Sequence, residues 1–258
     1  MRLWVCVILV LTACWMLMIE PFWLEITHTT IRTAKVHRSY RLVVLADIQT
    51  ARLGKYEKSV LRKVMAENPD IILFAGDYLH TYSHLKERTK EFNDFLKEIN
   101  LRAPLGIYAV RGNEEADSWP QLFAGLGVKT NRGIKDYHAG ELTITTGDAV
   151  GWSAPAINRS RVDGFRVVLA HHPDIALSRV NADLIVAGHV HGGQVRLPFI
   201  GPLITLSKIP RAWATGLTVL PDGNLLYVSR GIGVVRGVAP PIRFNCRPEL
   251  AVIDVIPR

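Results

Sequence analysis

The chain has 258 residues, 48% of them hydrophobic, and its 31 Lys and Arg against 23 Asp and Glu give a formal net charge of +8. That length suits one large domain, or one domain with an appendage, and the apolar content supplies a substantial core. The basic residues are scattered, which argues against a nucleic-acid arm and leaves a solvated basic surface, or one facing anionic lipid or a phosphate-bearing substrate.

The N-terminal segment Leu3 to Ile19 carries no charge. At about 1.5 Å per residue its helix reaches about 25 Å, the short end for crossing a bilayer core. Glu20 and Pro21 end the run, and Phe22 and Trp23 follow as interfacial aromatics. Residues 1–24 therefore read as a membrane anchor or signal-anchor, a single N-terminal pass at a membrane. Two other readings stay open: a cleaved signal peptide, although no clear small-residue site precedes Glu20, and a lipoprotein leader with Cys14 in Leu11-Thr12-Ala13-Cys14. Arg2 before the span and Arg32, Lys35, Arg38 and Arg41 beyond it leave the side of the membrane open. Cys6 and Cys14 lie in this segment, so Cys246 stands alone in the rest of the chain and no disulfide framework is possible there.

Residues 25–40 read as a connector with β character, alternating and rich in Thr and Ile. From residue 41 one pattern recurs. The apolar runs 41–46, 70–75, 105–110, 165–170 and 183–187 each end in Asp, Asn or His, often beside glycine. Such short continuous apolar runs predict buried strands. Between them, 55–68 and 86–99 predict helices, with Val60, Leu61, Val64 and Met65 on one stripe and Phe92, Phe95, Leu96 and Ile99 on the other. Residues 215–229 predict a hairpin turning at Pro221-Asp222-Gly223, and 249–256 a final strand. The class is α/β, a two-layered sheet core flanked by helices over residues 41–258, with no second domain.

In such sheets, ligands gather outside the carboxyl ends of strands, so these strand ends can share one site. Singly, each is weak. Asp47, Gly76-Asp77 and Gly112-Asn113 read equally as caps or turns, and His171-His172-Pro173 as a loop pair. Gly188-His189-Val190-His191-Gly192-Gly193 is stronger, because glycines around two histidines let a ligand approach and both rings aim at it.

In order, the motifs are Asp47-Ile48-Gln49, Gly76-Asp77, Gly112-Asn113-Glu114-Glu115, His171 and Gly188-His189-Val190-His191. This series resembles the calcineurin-like metallophosphoesterases, whose pattern is D-x-H, G-D, G-N-H-[DE], a lone His and G-H-x-H. Gly192-Gly193-Gln194 and the later RLPFIGP and PIRFNC look like the membrane-associated bacterial branch of that family. The resemblance implies the calcineurin-like phosphoesterase fold, a bacterial inner-membrane location and two divalent ions, Mn, Fe or Zn. It implies Asp47, Gln49 and His191 on the first ion, Asn113, His171 and His189 on the second, and Asp77 between them. Carboxylate, amide oxygen and imidazole suit such ions, and a close pair of them polarises a phosphoryl oxygen and generates hydroxide.

Two residues depart from the family pattern. Gln49 stands where the family has a histidine ligand, and a neutral amide oxygen is the poorer ligand. Glu114 stands where the family has the histidine that assists the transition state, and beside cations it tends to stay ionised, which opposes proton donation. Asn113 and Glu114 are nonetheless the candidate catalytic residues. The expected function is hydrolysis of a phosphodiester or pyrophosphate bond at the membrane, with lipid-linked substrates among those implied and no nucleic acid expected. The competing expectation is a non-catalytic relative that binds a phosphorylated ligand or partner. His80, His84, His138 and His172 have no motif role and read as loop or surface residues, Trp152 and Trp213 as core or rim, and Arg111 and Arg132 as solvated.

Overall fold

The computed structural model describes residues 2–81, 83–147, 157–158, 162–235 and 240–258. Trp152 lies outside them. Strands β1 (Glu25–Thr33), β2 (Tyr40–Leu45), β3 (Ile71–Phe74) and β4 (Ile107–Ala109) join the last strand, β13 (Glu249–Pro257), in a five-stranded sheet of order β1-β13-β2-β3-β4. Strands β5 (Lys135–Ala139), β6 (Leu142–Thr146), β7 (Phe165–Leu169), β8 (Leu184–Ala187), β11 (Gly216–Val219) and β12 (Leu225–Val228) form a six-stranded sheet of order β11-β12-β8-β7-β6-β5. The short strands β9 (Arg196–Leu197) and β10 (Gly201–Pro202) make a separate small hairpin. Three helices, α1 (Arg2–Cys14), α2 (Lys55–Ala66) and α3 (Leu85–Glu98), complete the regular elements discussed below.

The central strands β2, β3, β7 and β8 are largely apolar because they are covered on both faces. In β2, Leu42 and Val44 point between the two sheets, where they meet Val167, Leu169, Leu184 and Val186, while Val43 and Leu45 point outward onto the helices. The predicted stripes meet that outer face: Val60, Leu61 and Val64 of α2 and Phe92, Phe95 and Leu96 of α3 are buried there. The outer face of the second sheet is covered differently. Short turns such as Pro173–Leu177 bury Ile175 and Ala176, and Trp213 packs against the same cluster. The flanking helices thus lie on one side of the sandwich.

The stretch 25–40, expected as a connector, supplies a strand. β1 pairs in parallel with β13 from Glu25↔Glu249 to Thr33↔Pro257. Its alternation is that of a sheet strand: Ile31 enters the core between the sheets and Ile26 the opposite cluster. The partner edge is supplied by the far end of the chain, which local pattern does not reveal. The hairpin β5–β6 was not predicted, since Thr-rich LTITT and the mixed KDYHA lack a clean apolar run.

Before the sheets, Leu3–Phe22 is a helical segment of 20 residues with mean hydropathy 2.3, long and apolar enough to cross a membrane, and only 6% of its most apolar window is buried. Its end is tied to the domain. Glu20, 3% exposed, accepts hydrogen bonds from Cys246 N (2.5 Å) and Trp15 Nε1 (2.8 Å), and Met16 O accepts one from Arg243 N (3.0 Å). Arg247 lies over the Trp23 ring at 4.2 Å.

Candidate metal centre

The carboxyl ends of the parallel strands β2, β3 and β4 in one sheet and β7, β8 and β12 in the other meet at one edge of the sandwich. Backbone bonds sew the ends together: Asp47 N donates to Gly76 O, Gln49 N to Asp77 O, Gly188 N to His171 O and Gly233 N to Asp47 O. Every sequence-predicted site residue sits at this junction. Five of the residues hold left-handed backbone without being glycine, namely Asp47 (φ 51°), Gln49 (40°), Asp77 (56°), His189 (69°) and His191 (47°). Such conformations cost about 1–2 kcal/mol each and cluster where function requires a particular side-chain aim.

The side chains converge. One ligand atom each from Asp47, Asp77 and His171 lie within 4.8 Å of one another. His191 Nε2 is 3.8 Å and His171 Nδ1 4.0 Å from Asp47 Oδ1, and His171 Nε2 is 3.5 Å from Asp77 Oδ1. Asn113 Oδ1 stands 3.0 Å from His171 Nε2 and 2.9 Å from His189 Nδ1. Glycines permit this crowding. A Cβ on Gly112 would meet Asp77 Oδ1 at 2.0 Å, and one on Gly188 would meet Asp47 Oδ2 at 2.6 Å.

The donor set fits a cation. His171 Nδ1 donates to Ala75 O at 2.7 Å, which fixes the tautomer and leaves Nε2 with a lone pair. That lone pair faces two oxygens, Asn113 Oδ1 and Asp77 Oδ1. The Asn113 orientation is set by its Nδ2, which donates to Glu114 Oε1 at 2.9 Å. Three acceptors pointed at one space repel one another unless a positive charge lies among them. Both ring nitrogens of His191, which is fully buried, and Gln49 Oε1 also lack a hydrogen-bond partner, a rare condition for buried polar atoms.

The electrostatics follow from burial. Burial, with the Asp77 charge next, pushes Asp47 well above the usual carboxylate range. Burial and Asp77 likewise push Glu115 up to about 8. Burial, then neighbouring His171, lowers His189 to about 4, and burial, then the Arg243 charge, lowers His191 strongly. A bound cation opposes the acid shifts and favours the neutral imidazoles that ligation needs.

Several residues have roles that the motifs did not reveal. Glu115 accepts the backbone N–H groups of Asp77 (3.0 Å), Tyr78 (2.6 Å) and Gly112 (2.7 Å), clamping two strand ends together. Arg243, 0% exposed, donates to the carbonyls of Arg230, Gly231, Gly233 and Cys246 and so shapes the loop after β12 that closes on Asp47. The apolar strand followed by Gly231 and Gly233 was the available signal for that loop, since it repeats the grammar of the other strand ends. Two histidines read as loop or surface residues belong here instead. His172 packs its ring 3.7 Å from that of His189, and His80 Nδ1 sits 2.9 Å from Glu114 Oε2. His84 and His138 are exposed, as expected. Arg111 is occupied at Glu115 O and Asp117.

A buried cluster of carboxylates and imidazoles that could hold metal, at the strand ends of an α/β sandwich, suits the class of phosphoester hydrolases. The calcineurin-like phosphoesterase profile matches residues 40–193, and the chain belongs to that family. It is 27% identical over 262 residues to the metallophosphoesterase YkuE of Bacillus subtilis, covering 92% of this chain and 87% of that protein. It is 26% identical over 253 residues to the phosphodiesterase YaeI of Escherichia coli, covering 92% and 90%. With the UDP-2,3-diacylglucosamine pyrophosphatase LpxG of Chlamydia muridarum it shares 25% identity over 315 residues, covering 95% and 93%.

Proposed function

We propose that the chain is a membrane-anchored, dinuclear metallophosphoesterase that hydrolyses a phosphodiester or pyrophosphate bond in a lipid-linked substrate. The observation that carries this reading is the convergence of His171 Nε2, Asn113 Oδ1 and Asp77 Oδ1 on one space, beside the unpartnered nitrogens of His191. Asp47, His191 and Gln49 Oε1 would hold one ion, Asn113, His171 and His189 the other, and Asp77 both. When bound, the ions supply Lewis acidity to a phosphoryl oxygen and acidify a water. Mn, Fe and Zn suit the mixed carboxylate, amide and imidazole set.

The chain's own residues do the rest. Glu115 accepts from both Asp77 N and Gly112 N and so holds Asp77 in place, and His189 N donates to both Asp47 oxygens at 3.0 Å. At the mouth, the His80–Glu114 pair is the group available to hold a proton for the leaving oxygen, with the carboxylate orienting the imidazole. The lipid-linked substrate is supported by the apolar Leu3–Phe22 segment, which we read as an anchor, and by the similarity to a pyrophosphatase of a diacylated sugar nucleotide.

One observation favours a second reading. Gln49 Nε2 donates to Asp77 Oδ2 at 2.7 Å, occupying an oxygen that a first ion would use. A weakly held first ion would leave a protein that binds a phosphorylated ligand and turns it over poorly or not at all. Hydrolysis of bis-p-nitrophenyl phosphate against p-nitrophenyl phosphate by the full chain in detergent with Mn²⁺ separates the two. The enzyme reading expects metal-dependent diester cleavage abolished by chelation. A folded, metal-loaded chain that cleaves neither substrate supports the second.

A further inference from the structure

The hairpin β9–β10 follows the His189-Val190-His191 motif and turns through Pro198, Phe199 and Ile200. Phe199 is 110% exposed and Ile200 61%, and Leu203, Ile204 and Leu206 beyond the hairpin are 41%, 66% and 61% exposed. Five large apolar side chains within eight residues form a patch larger than scattered surface hydrophobics explain. The patch adjoins the metal centre: Leu206 O lies 3.4 Å from His189 Nε2, and a cavity of about 230 Å³ runs between His189 and Leu203, Ile204 and Ile242.

What covers this patch is indicated by its connection to the apolar N-terminal helix. Phe244 N donates to Gln194 O and Arg196 N to Phe244 O, so the segment leading into the hairpin is zipped to residues 243–246. That same segment holds the end of the helix through Arg243 N to Met16 O and Cys246 N to Glu20 Oε1. Exposed Lys208 and Arg211 flank the patch and suit an anionic surface. Apolar side chains at a loop tip with cations beside them are the pattern of an interfacial membrane contact.

We infer that the 198–206 loop inserts into the bilayer surface as a second contact beside the helix, bringing the mouth of the metal centre to the lipid headgroups. The phosphate of a lipid would then reach His189 while its chains stay in the apolar phase or enter the adjoining cavity. The inference rests on the anchor reading above, so the test reads the helix and the loop separately.

The full chain is reconstituted in phosphatidylethanolamine–phosphatidylglycerol vesicles with an environment-sensitive NBD probe at one position at a time. The Phe199→Cys probe is placed in a chain with Cys6→Ser and Cys14→Ser, since Cys246 is buried. Native Cys6, with Cys14→Ser, reports the anchor, and Asp222→Cys, in the turn at the far end of β12, reports the solvated side. Expected are blue-shifted emission and loss of intensity with shallow doxyl lipids at 199, comparable with Cys6, and neither at 222. A water-exposed signal at 199 while Cys6 is quenched overturns the loop contact and leaves the anchor standing. A shielded signal at 199 that lipid doxyl does not quench means that protein covers the patch, which also overturns it. A water-exposed Cys6 removes the anchor reading. As a second variant, Phe199→Asp is expected to lower cleavage of a vesicle-embedded acyl-chain p-nitrophenyl phosphodiester while cleavage of soluble bis-p-nitrophenyl phosphate stays unchanged, and equal effects on both would contradict the inference.

Discussion

Gly112→Ala tests the architecture of the centre with a single methyl group. Its Cβ would lie 2.0 Å from Asp77 Oδ1, 2.5 Å from Asp77 N and 2.8 Å from Asp77 Cγ, against 3.4 Å for ordinary contact. The carboxylate must retreat by about 1.4 Å, and its backbone cannot yield because Asp77 N is bonded to Glu115. Overpacking of this kind costs about 1–3 kcal/mol. In a domain of this size that lowers the melting temperature by roughly 2–12 °C. Displacing a catalytic group by about 1 Å costs on the order of 100-fold in rate. Gly133→Ala is the control, since its Cβ would have nothing within 4 Å. Differential scanning fluorimetry and Mn²⁺-dependent diester hydrolysis read both effects. A folded Gly112→Ala protein that hydrolyses diester at the control's rate would refute the placement of Asp77 at the heart of the site.

Other expectations follow from the same geometry. Gln49→His exchanges an amide that donates one N–H to Asp77 for an imidazole, and is expected to tighten binding of the weaker ion by roughly 10-fold or more; calorimetric titration giving unchanged or weaker binding contradicts this. Metal affinity should rise with pH toward about 8, because Asp47 and Glu115 hold protons above the usual carboxylate range and the cation must displace or offset them. His189, lowered to about 4, adds little slope in that window. Titrations in buffers of different ionisation enthalpy should show that displacement of protons, and its absence would count against the assignment. His80→Ala and Glu114→Gln should each slow turnover and alter the pH–rate profile, while the double variant loses little more than either alone. Additive losses would show that the two residues act separately.

Much of this was readable along the chain because the local signals agree. The runs ending at Asp47, Asp77, Asn113, His171 and His189 are apolar on both faces, so they read as buried strands, and each stops at a side chain that an interior strand would not carry. Helices α2 and α3 were legible because their apolar stripes follow the helical period. What escaped detection depends on distance. β1 becomes a strand only because β13, over two hundred residues later, offers its edge. His80 has no motif position of its own and gains its place because the β3 and β4 loops bring it to Glu114. Arg243 reads as one more basic residue until its donors are seen spread over four carbonyls in a dry loop. The left-handed backbone at Asp47 and His191 is likewise set by the ring of strand-end bonds, not by residue type.

The central claim is that Asp77 joins two metal positions at which phosphodiester hydrolysis occurs. The most direct test measures bound metal by elemental analysis and diester turnover on the same preparations of the parent chain and Asp77→Ala, with melting curves to establish folding. The account predicts metal content that rises with turnover in the parent, and a folded Asp77→Ala protein deficient in both. Full turnover in Asp77→Ala, or a metal-loaded parent without turnover, would contradict it.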